Sequence, residues 1–299
     1  MNYSVIEKIA ALYNIALSNI FEHIYTLTAD TIEGYLPLFL TLYFIVMGYK
    51  AMIGELSKGK KNYFRVFILL PFLITFTFNY ATYLKFIVTP ILILKDYLVN
   101  GISSIASDSN SETTFQMLDV IYFNIFSYVK EELMGNLLTN TFDFFLGAIV
   151  LIIYGLLYAW NGFFMLKSLV ATSFFLMIGP IPLILFAFDS TQSITFSWLK
   201  SVGTYFLFAP ISAFFMIFIY WISTGVNADV ETNIEFLFLL IVSGWILLQF
   251  VKDIPEYANA ITGAMSGGGD ATGGVKQALR FGSMTGRSAT SILSKVKGG

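Results

Sequence analysis

The stretch FFLGAIVLIIYGLLYAWNGFFMLKSLVATSFFLMIGPIPLILFAF, from Phe144 to Phe188, decides the fold class of this chain. The side chain of Lys167 is the only charged one in these 45 residues. A membrane-spanning helix needs about 20 apolar residues, so the stretch is too long for one span. It is also too apolar for the core of a soluble domain. The sequence therefore predicts an all-α, polytopic helical membrane protein.

The composition of the whole chain agrees with a membrane protein. Hydrophobic residues make up 57% and charged residues 12% of the sequence, whereas soluble domains have roughly 25% charged residues. The chain has no cysteine and one histidine, His23, which excludes disulfides, thiolate metal sites and a histidine-based metal cluster. We therefore expect no cofactor, and we expect that the protein is not an enzyme.

Residues 1–34 are predicted to form an N-terminal amphipathic segment. Between residues 3 and 28, apolar side chains recur at steps of three and four, and the polar face carries Glu7, Lys8 and Glu22. Charged residues also interrupt the apolar run, so the segment does not resemble a cleavable signal. A helix of this kind can lie on the membrane surface or pack on a neighbouring subunit.

Residues 35–84 are predicted to contain the first two spans, at about 35–54 and 64–84, with a kink at Pro71. A basic cluster separates the two spans. Because Lys and Arg concentrate on the cytoplasmic side of membrane proteins, the connecting loop is predicted to be cytoplasmic and the N-terminus periplasmic. The cluster consists of Lys58, Lys60, Lys61 and Arg65.

Residues 85–141 are predicted to form the central extramembrane segment, on the periplasmic side. The segment has three lysines against six acidic residues, a net charge of −3, and its stretch from Ser103 to Thr114 is rich in the polar residues of loops. It is the largest predicted extramembrane piece, so it is the best candidate for a docking surface.

Residues 142–252 are predicted to form the C-terminal membrane bundle, and its first part is open to two interpretations. The block 142–188 holds either two full spans, at 142–166 and 168–188, or one span followed by a re-entrant or interfacial helix. In both cases the sequence Gly179-Pro180-Ile181-Pro182 predicts a helix break. The free backbone groups of the break must be shielded by protein or water, because they are costly in lipid.

The distribution of charges favours the second interpretation. From Lys252 onward the chain has six basic and three acidic residues, whereas the loop 224–235 has three acidic residues and no basic one. A cytoplasmic tail and a periplasmic loop therefore require about five net crossings, with the last two spans at 201–223 and 234–252. Residues 253–299 are rich in glycine and are predicted to form a mobile cytoplasmic tail.

Polar and small residues lie in the longest apolar block. Lys167 is its only charged residue, and it either extends to the membrane interface or lines a water-filled translocation path together with Asn161. On the same span, small residues at steps of eight, four and three predict a face for close helix packing, within one subunit or between subunits. These are Gly147, Gly155, Ala159 and Gly162.

Two further segments carry a resemblance to a known family. The first is IGPIPLILFAF, residues 178–188, followed by Trp198; the second is IPEYANAITG, residues 254–263, which leads into the glycine-rich tail. A Gly-Pro helix break, a short polar loop with Trp and a segment after the last span, in this order, resemble the TrbL-type polytopic inner-membrane subunit of bacterial type IV secretion systems. The resemblance extends over essentially the whole chain.

This resemblance implies a non-enzymatic, homo-oligomeric subunit of a channel in the bacterial inner membrane that translocates DNA or effector protein and supports pilus assembly. The implied partners are the pilin, the minor pilus subunit, the bitopic scaffold proteins and the assembly ATPases, which supply the energy. The residues that it implies as structural, setting helix breaks and anchoring the bundle, are Gly179, Pro180, Pro182, Trp198, Pro255 and Gly263.

Two other classes of protein explain the sequence less well. A small-solute transporter predicts two halves with broken helices at corresponding positions, but the chain has one strong helix break. A membrane enzyme that acts on lipid would need an interfacial cluster of acidic residues or histidines, which the sequence lacks. The hypothesis of a secretion-channel subunit is therefore the leading one.

Overall fold

The computed structural model of this protein describes residues 5–53, 60–105, 114–130, 141–226 and 234–266. Within those ranges all regular structure is helical and no strand is present, which confirms the predicted all-α fold. The α-helices in chain order are α1 (Val5–Met52), α2 (Lys60–Phe78), α3 (Tyr80–Tyr83), α4 (Thr89–Ser103), α5 (Thr114–Tyr128), α6 (Thr141–Met177), α7 (Pro180–Leu185), α8 (Gln192–Val226), α9 (Ile234–Lys252) and α10 (Ile254–Ser266).

Four helical segments of the described chain are long and apolar enough to cross a membrane, and a bent pair of helices makes a fifth candidate. The bent pair, Leu237–Lys252 and Ile254–Gly263, turns by 42° between its two helices. Four or five candidate spans agree with the prediction of a polytopic protein with about five crossings. The four single segments are Val5–Val46, Tyr80–Ser103, Phe144–Met177 and Gln192–Ile222.

Helix α1 joins two segments that the sequence analysis separated. It runs for 48 residues, through the expected boundary between an amphipathic segment ending at residue 34 and a span beginning at residue 35. Pro37 lies inside the helix, so the loss of one N–H group does not end it. At about 1.5 Å per residue α1 is about 72 Å long, more than twice the hydrocarbon thickness of about 30 Å. A span within α1 therefore leaves a long part of the helix for contacts with the rest of the chain.

The second candidate span is not where the sequence analysis expected it. Helix α2 ends at Phe78, and Asn79 starts the next helix, because its side-chain oxygen accepts a hydrogen bond of 3.0 Å from the backbone N–H of Thr82. A π-helical turn, Leu84–Val88, connects α3 to α4. The candidate span therefore runs from Tyr80 to Ser103 rather than from 64 to 84.

The first part of the expected extramembrane segment 85–141, up to Ser103, therefore belongs to a candidate span. Lys85, Lys95 and Asp96 interrupt the apolar pattern there, and for this reason the sequence indicated a polar segment. In the structure Lys95 is only 8% exposed, because α4 packs along α8. The long alkyl stem of lysine allows this burial in an otherwise apolar contact. Residues 106–113 and 131–140, which belong to the same expected segment, lie outside the described residues.

The block 142–188 holds one long helix and not two. Helix α6 has 37 residues and continues from Thr141 to Met177 without a turn, so the interpretation of two spans at 142–166 and 168–188 is wrong. The break comes at Ile178 and Gly179, and α7 follows it. No glycine or proline separates Gly162 from Gly179, and the chain therefore has no helix-ending signal near Lys167.

The expected tail begins later than residue 253. Residues 254–266 form α10, which packs on α8. Ile254 and Ala258 are fully buried. The prediction of a mobile tail that begins at residue 253 is therefore wrong for residues 254–266. The two residues are four positions apart and share one face of a helix, a pattern too short to stand out beside the glycines that follow. Residues 267–299 lie outside the described part of the chain.

Two hydrophobic clusters organise the bundle. The larger one is built by α5, α6, α8, α9 and α10, with Ile6 of α1 at its edge. The second surrounds the break after α6 and includes Tyr25 of α1, Tyr83 of α3 and Trp198 of α8. Since α6 and α8 take part in both clusters, the break lies where these two long helices meet α1 and α3.

Candidate functional site

The helix break after α6 leaves the carbonyl of Leu176 without its usual partner. In a continuous helix this carbonyl would accept from the N–H group four residues later, but residue 180 is proline and has none. Two other donors take its place. The backbone N–H of Gly179 donates to the Leu176 oxygen over 3.1 Å, and the phenol of Tyr83 donates to the same oxygen over 2.5 Å.

The preceding carbonyl, that of Phe175, is affected in the same way. Its usual donor would be the N–H of Gly179, which bonds to Leu176 instead. The indole N–H of Trp198 donates to the Phe175 oxygen over 2.8 Å, and the Trp198 side chain is only 6% exposed. Two carbonyls at the end of α6 are thus paired by side chains from α3 and α8. In a membrane such pairing matters more than in water, because lipid offers no donor.

Gly179 is required at the break for space. Its backbone angles, φ −54° and ψ −31°, are those of an ordinary right-handed helix, so its conformation does not demand glycine. A Cβ atom at this position would overlap the hydroxyl oxygen of Tyr83 and would lie 3.0 Å from Cζ2 of Trp198. The two capping side chains can reach the end of α6 only because residue 179 has no side chain.

The opposite side of the break is held by α8. The carbonyl of Pro182 accepts from the hydroxyl of Thr195 and from the backbone N–H of Phe186, at 3.2 Å. The hydroxyl of Thr191 donates to the carbonyl of Leu185 over 2.8 Å. The short helix α7 is therefore tied to the beginning of α8, in addition to the contact through Trp198.

An aromatic cluster extends from the break to α1. The ring of Tyr25 lies 5.0 Å from that of Tyr83 and 5.1 Å from that of Tyr80. The hydroxyl of Tyr25 donates to the carbonyl of Thr77, near the end of α2. Tyr25 and Tyr83 are 1% and 0% exposed. We call Tyr25, Tyr83, Gly179 and Trp198 the break cluster; it joins α1, α3, the end of α6 and α8.

The second family-like segment meets α8 next to Trp198. The hydroxyls of Thr204 on α8 and Thr262 on α10 lie 2.8 Å apart. A Cβ atom at Gly203 would lie 3.2 Å from Cγ2 of Thr262, so the two helices are in close contact. Thr204 is six residues, fewer than two helical turns, beyond Trp198. The break segment, residues 178–188, and the segment 254–263 are more than 50 residues apart in the chain. Both therefore contact the same end of α8.

The structure brings some of the expected structural residues together and places others elsewhere. Gly179, Pro180, Pro182 and Trp198 all belong to the break. Pro255 is half-buried in the first turn of α10, where its missing N–H is not needed. A Cβ atom at Gly263 would lie 3.9 Å from Nζ of Lys200. Sequence reasoning missed Tyr83 and Thr195, because their role depends on helices that are distant in the chain.

The small residues of α6 pack inside the chain at two positions. A Cβ atom at Gly162 would overlap Cδ1 of Ile6 on α1, and one at Gly155 would lie 3.6 Å from the hydroxyl of Tyr122 on α5. Gly147 is also buried, whereas Ala159 is exposed. Of the two alternatives, packing within one subunit is therefore observed for Gly155 and Gly162.

Asn161 and Lys167 do not share a side of α6. They are six positions apart, which corresponds to about 240° around the helix. Asn161 is fully buried, and neither atom of its amide has a hydrogen-bond partner in the described structure. Lys167 is half-buried, with Nζ 5.5 to 5.9 Å from the ring centres of three aromatic residues, at distances typical of cation–π contacts. These are Phe163, Tyr205 and Phe208.

The groups of the break act on backbone carbonyls and are arranged for positioning. The polar side chains around the break each donate to a backbone oxygen of the chain; they are Tyr25, Tyr83, Thr191, Thr195 and Trp198. No group of three or more His, Asp or Glu residues that could hold a metal ion is found among the residues that the structure describes. The arrangement can fix the relative positions of α1, α3, α6, α7 and α8.

A comparison with protein-family models gives one match. The model described as "TrbL/VirB6 plasmid conjugal transfer protein" matches residues 40–254, which is more than half of the chain. This match confirms the resemblance inferred from the sequence. It includes the break and Trp198 and ends at Ile254, the first residue of α10, so most of the segment 254–263 lies beyond it. No curated protein matches the chain.

Proposed function

We propose a structural role in the membrane part of a conjugal transfer machine for this chain, which belongs to the TrbL/VirB6 plasmid conjugal transfer family. Membership of this family implies that the protein is a component of a type IV secretion system. Within such a system we assign it to the channel or platform in the inner membrane, where it supports translocation of DNA or effector protein and pilus assembly. In this role the protein is not an enzyme and requires no cofactor.

The observation that carries this proposal is the break cluster with its hydrogen bonds. Trp198 and Tyr83 pair two backbone carbonyls that the Gly-Pro break exposes, and Gly179 makes room for both. The donor groups of Trp198 and Tyr83 both bond within the chain, as expected for side chains that fix the positions of helices. A fixed break of this kind suits a subunit that holds a shape for other proteins.

The proposed orientation has a periplasmic N-terminus and a cytoplasmic C-terminus. It rests on the basic residues that follow α1 in the sequence and on those from Lys252 onward. The proposed partners are the pilin, the minor pilus subunit, the bitopic scaffold proteins and the assembly ATPases, with further copies of this chain in a ring. Helix α1 supports such contacts: only 11% of its most apolar stretch is buried within the chain, which leaves apolar surface for lipid and for other subunits.

The test is purification of the protein from its native host in mild detergent, followed by mass spectrometry of the proteins that co-purify. Pilin, scaffold proteins and assembly ATPases in defined ratios are the expected result, and the ratios give the copy number. Recovery of the chain alone, as a monomer or small homo-oligomer that binds a solute, would contradict the proposal and favour a small-solute transporter.

A further inference from the structure

Four polar side chains form a line along one face of α6. Tyr154, Asn161, Ser168 and Thr172 follow at steps of seven, seven and four, and seven residues in an α-helix return to within about 20° of the same direction. All four are at most 2% exposed. Each has at least one buried side-chain polar atom that finds no hydrogen-bond partner among the described residues. We call these four residues the α6 polar stripe.

The hydroxyls of the stripe behave differently from others in this chain. Ser and Thr in helices commonly donate to the carbonyl four residues earlier, as Thr41, Thr75 and Ser201 do here. Ser168 and Thr172 do not make this bond. Buried polar side chains in proteins nearly always have a partner, so the hydroxyls of the stripe are available to a partner that is not the backbone of α6.

A fifth unpaired group lies on α8, at the level of the stripe. The rings of Phe175 and Tyr205 are 5.4 Å apart, and those of Phe164 and Phe208 are 5.6 Å apart, so α6 and α8 run antiparallel. This register places Ser212 at the level of the α6 segment between Asn161 and Ser168. The Ser212 hydroxyl is fully buried and has no partner within the described ranges.

The stripe has the length of a membrane crossing. Tyr154 and Thr172 are 18 residues apart, which is about 27 Å along the helix axis, against a hydrocarbon thickness of about 30 Å. Asn161 and Ser168 are about 10 Å apart along the axis, too far for a direct hydrogen bond. The members of the stripe therefore cannot all pair with one another, even if their side chains rotate.

We propose that the α6 polar stripe and Ser212 bind a file of water molecules. The seam that α6 forms with α8, and at Tyr154 with Gly244 of α9, is then a hydrated path through the bundle. Buried water binds at neutral polar groups that lack other partners and makes about three hydrogen bonds there. The groups of the stripe and Ser212 are hydroxyls and one amide. Nζ of Lys167 lies over the rings of Tyr205 and Phe208 on α8, and Lys167 is about 100° around α6 from Ser168. Its ammonium therefore borders the seam without being a member of the stripe. The inference does not depend on a role in secretion, since the polar groups need partners whatever the protein transports.

The natural absence of cysteine makes a direct test possible. Single variants Ser168→Cys, Thr172→Cys and Ser212→Cys are treated, as full-length protein in native membranes, with a small water-soluble methanethiosulfonate. The cysteine thiolate attacks the sulfur of the reagent, forms a mixed disulfide and displaces methanesulfinate. The thiolate forms only where the sulfur is hydrated. Ala213→Cys is the matched control: Ala213 is the neighbour of Ser212 and equally buried, but it packs in an apolar cluster with Val99 and Ala209.

The expected result is that the stripe variants react at least about tenfold faster than Ala213→Cys, because thiolate formation requires water. Equal and slow reaction at all positions would overturn the proposal and show a dry seam. Each variant is first checked for folding by size-exclusion chromatography in detergent. If Ser168→Cys does not fold, Ser212→Cys probes the same seam from α8 and decides the question alone.

Discussion

The indole N–H of Trp198 donates a hydrogen bond of 2.8 Å to the carbonyl oxygen of Phe175, 23 residues earlier in the chain. This oxygen is one of the two that lose their intrahelical donor at the Gly-Pro break. The tryptophan therefore does more than fill space at the end of α6, since it replaces a backbone hydrogen bond at a position where its side chain is only 6% exposed. Removal of the N–H group and removal of the ring can be separated experimentally.

Trp198→Phe is expected to lower the free energy of unfolding by about 1–3 kcal/mol, because the Phe175 oxygen becomes a buried acceptor without a donor. The ring of phenylalanine retains much of the packing. The measurement is thermal unfolding of the purified protein in detergent. Trp245→Phe is the control, because Trp245 is 55% exposed on α9. Equal thermal stability of the two variants would show that the hydrogen bond contributes nothing.

Gly179→Ala is expected to destabilise the protein by about 1–3 kcal/mol, the typical cost of overpacking, because the new Cβ atom overlaps the Tyr83 hydroxyl. The double variant Gly179→Ala, Tyr83→Phe removes this oxygen and should recover part of the loss, a non-additive effect that thermal unfolding can measure. Gly101→Ala serves as the control, since nothing lies within 4 Å of a Cβ atom there. Full additivity of the two substitutions would contradict the proposed contact.

Asp119 is expected to hold the beginning of α1 in place. Its carboxylate, only 4% exposed, lies 3.4 Å from the backbone nitrogens of Ile6 and Glu7 and also accepts from the hydroxyl of Tyr158. A negative charge at a helix N-terminus is favourable. Asp119→Asn should therefore raise the hydrogen-exchange rate of the first turns of α1 about tenfold, through more frequent local opening.

The control for the α1 prediction is Asp30→Asn. Asp30 is an exposed residue within the same helix, far from its first turn, so its charge does not act on the terminal N–H groups. Its variant should exchange at the rate of the unchanged protein. If Asp119→Asn also left the exchange of residues 6 to 12 unchanged, the carboxylate would have no role in fixing the helix.

Lys95→Met is expected to raise the unfolding temperature. Lys95 is buried on α4, which packs along α8. No acidic side chain forms an ion pair with it in the part of the chain that the structure describes, and the nearby charge that acts on it is that of its sequence neighbour Asp96. A buried charge without a partner costs free energy. Lys85→Met, at an exposed position, should leave stability nearly unchanged. A loss of stability in Lys95→Met would reveal a polar contact that α4 needs.

If Lys95→Met is more stable but less active in transfer, the lysine serves function at the expense of stability. Ionisable residues inside candidate spans are commonly functional. The activity measured is the frequency of conjugal transfer, with the amount of the protein in the membrane as reference. Unchanged transfer would assign no functional role to this charge.

The sequence was sufficient to predict the helix break, since proline and glycine act on the local backbone in any context. It was also sufficient for the fold class, because apolar length is a local property. The partners of the break could not be predicted in the same way. Tyr83 reaches Leu176 across 93 positions of the chain, and nothing near Tyr83 in the sequence distinguishes it from the other tyrosines.

The errors of the sequence analysis have a common physical cause. Lys95 indicated an extramembrane segment and Ile254 was assigned to a tail, yet both are buried on α8. Hydropathy averages over a window of sequence, whereas burial depends on what packs against one face of a helix. Asn161 was recognised as unusual, but its relation to Ser168 and Thr172 becomes meaningful only once the structure shows that all three are buried and unpaired.

The central claim is that the break cluster fixes the helix arrangement on which assembly of the secretion machine depends. Trp198→Ala in the native host tests this claim most directly. Two quantities are measured with equal amounts of the chain in the membrane: the yield of the co-purified complex and the frequency of conjugal transfer. The structural account predicts that both fall together, and that Trp245→Ala changes neither. A normal yield of complex with lost transfer would contradict it, because Trp198 would then act on the cargo and not on assembly.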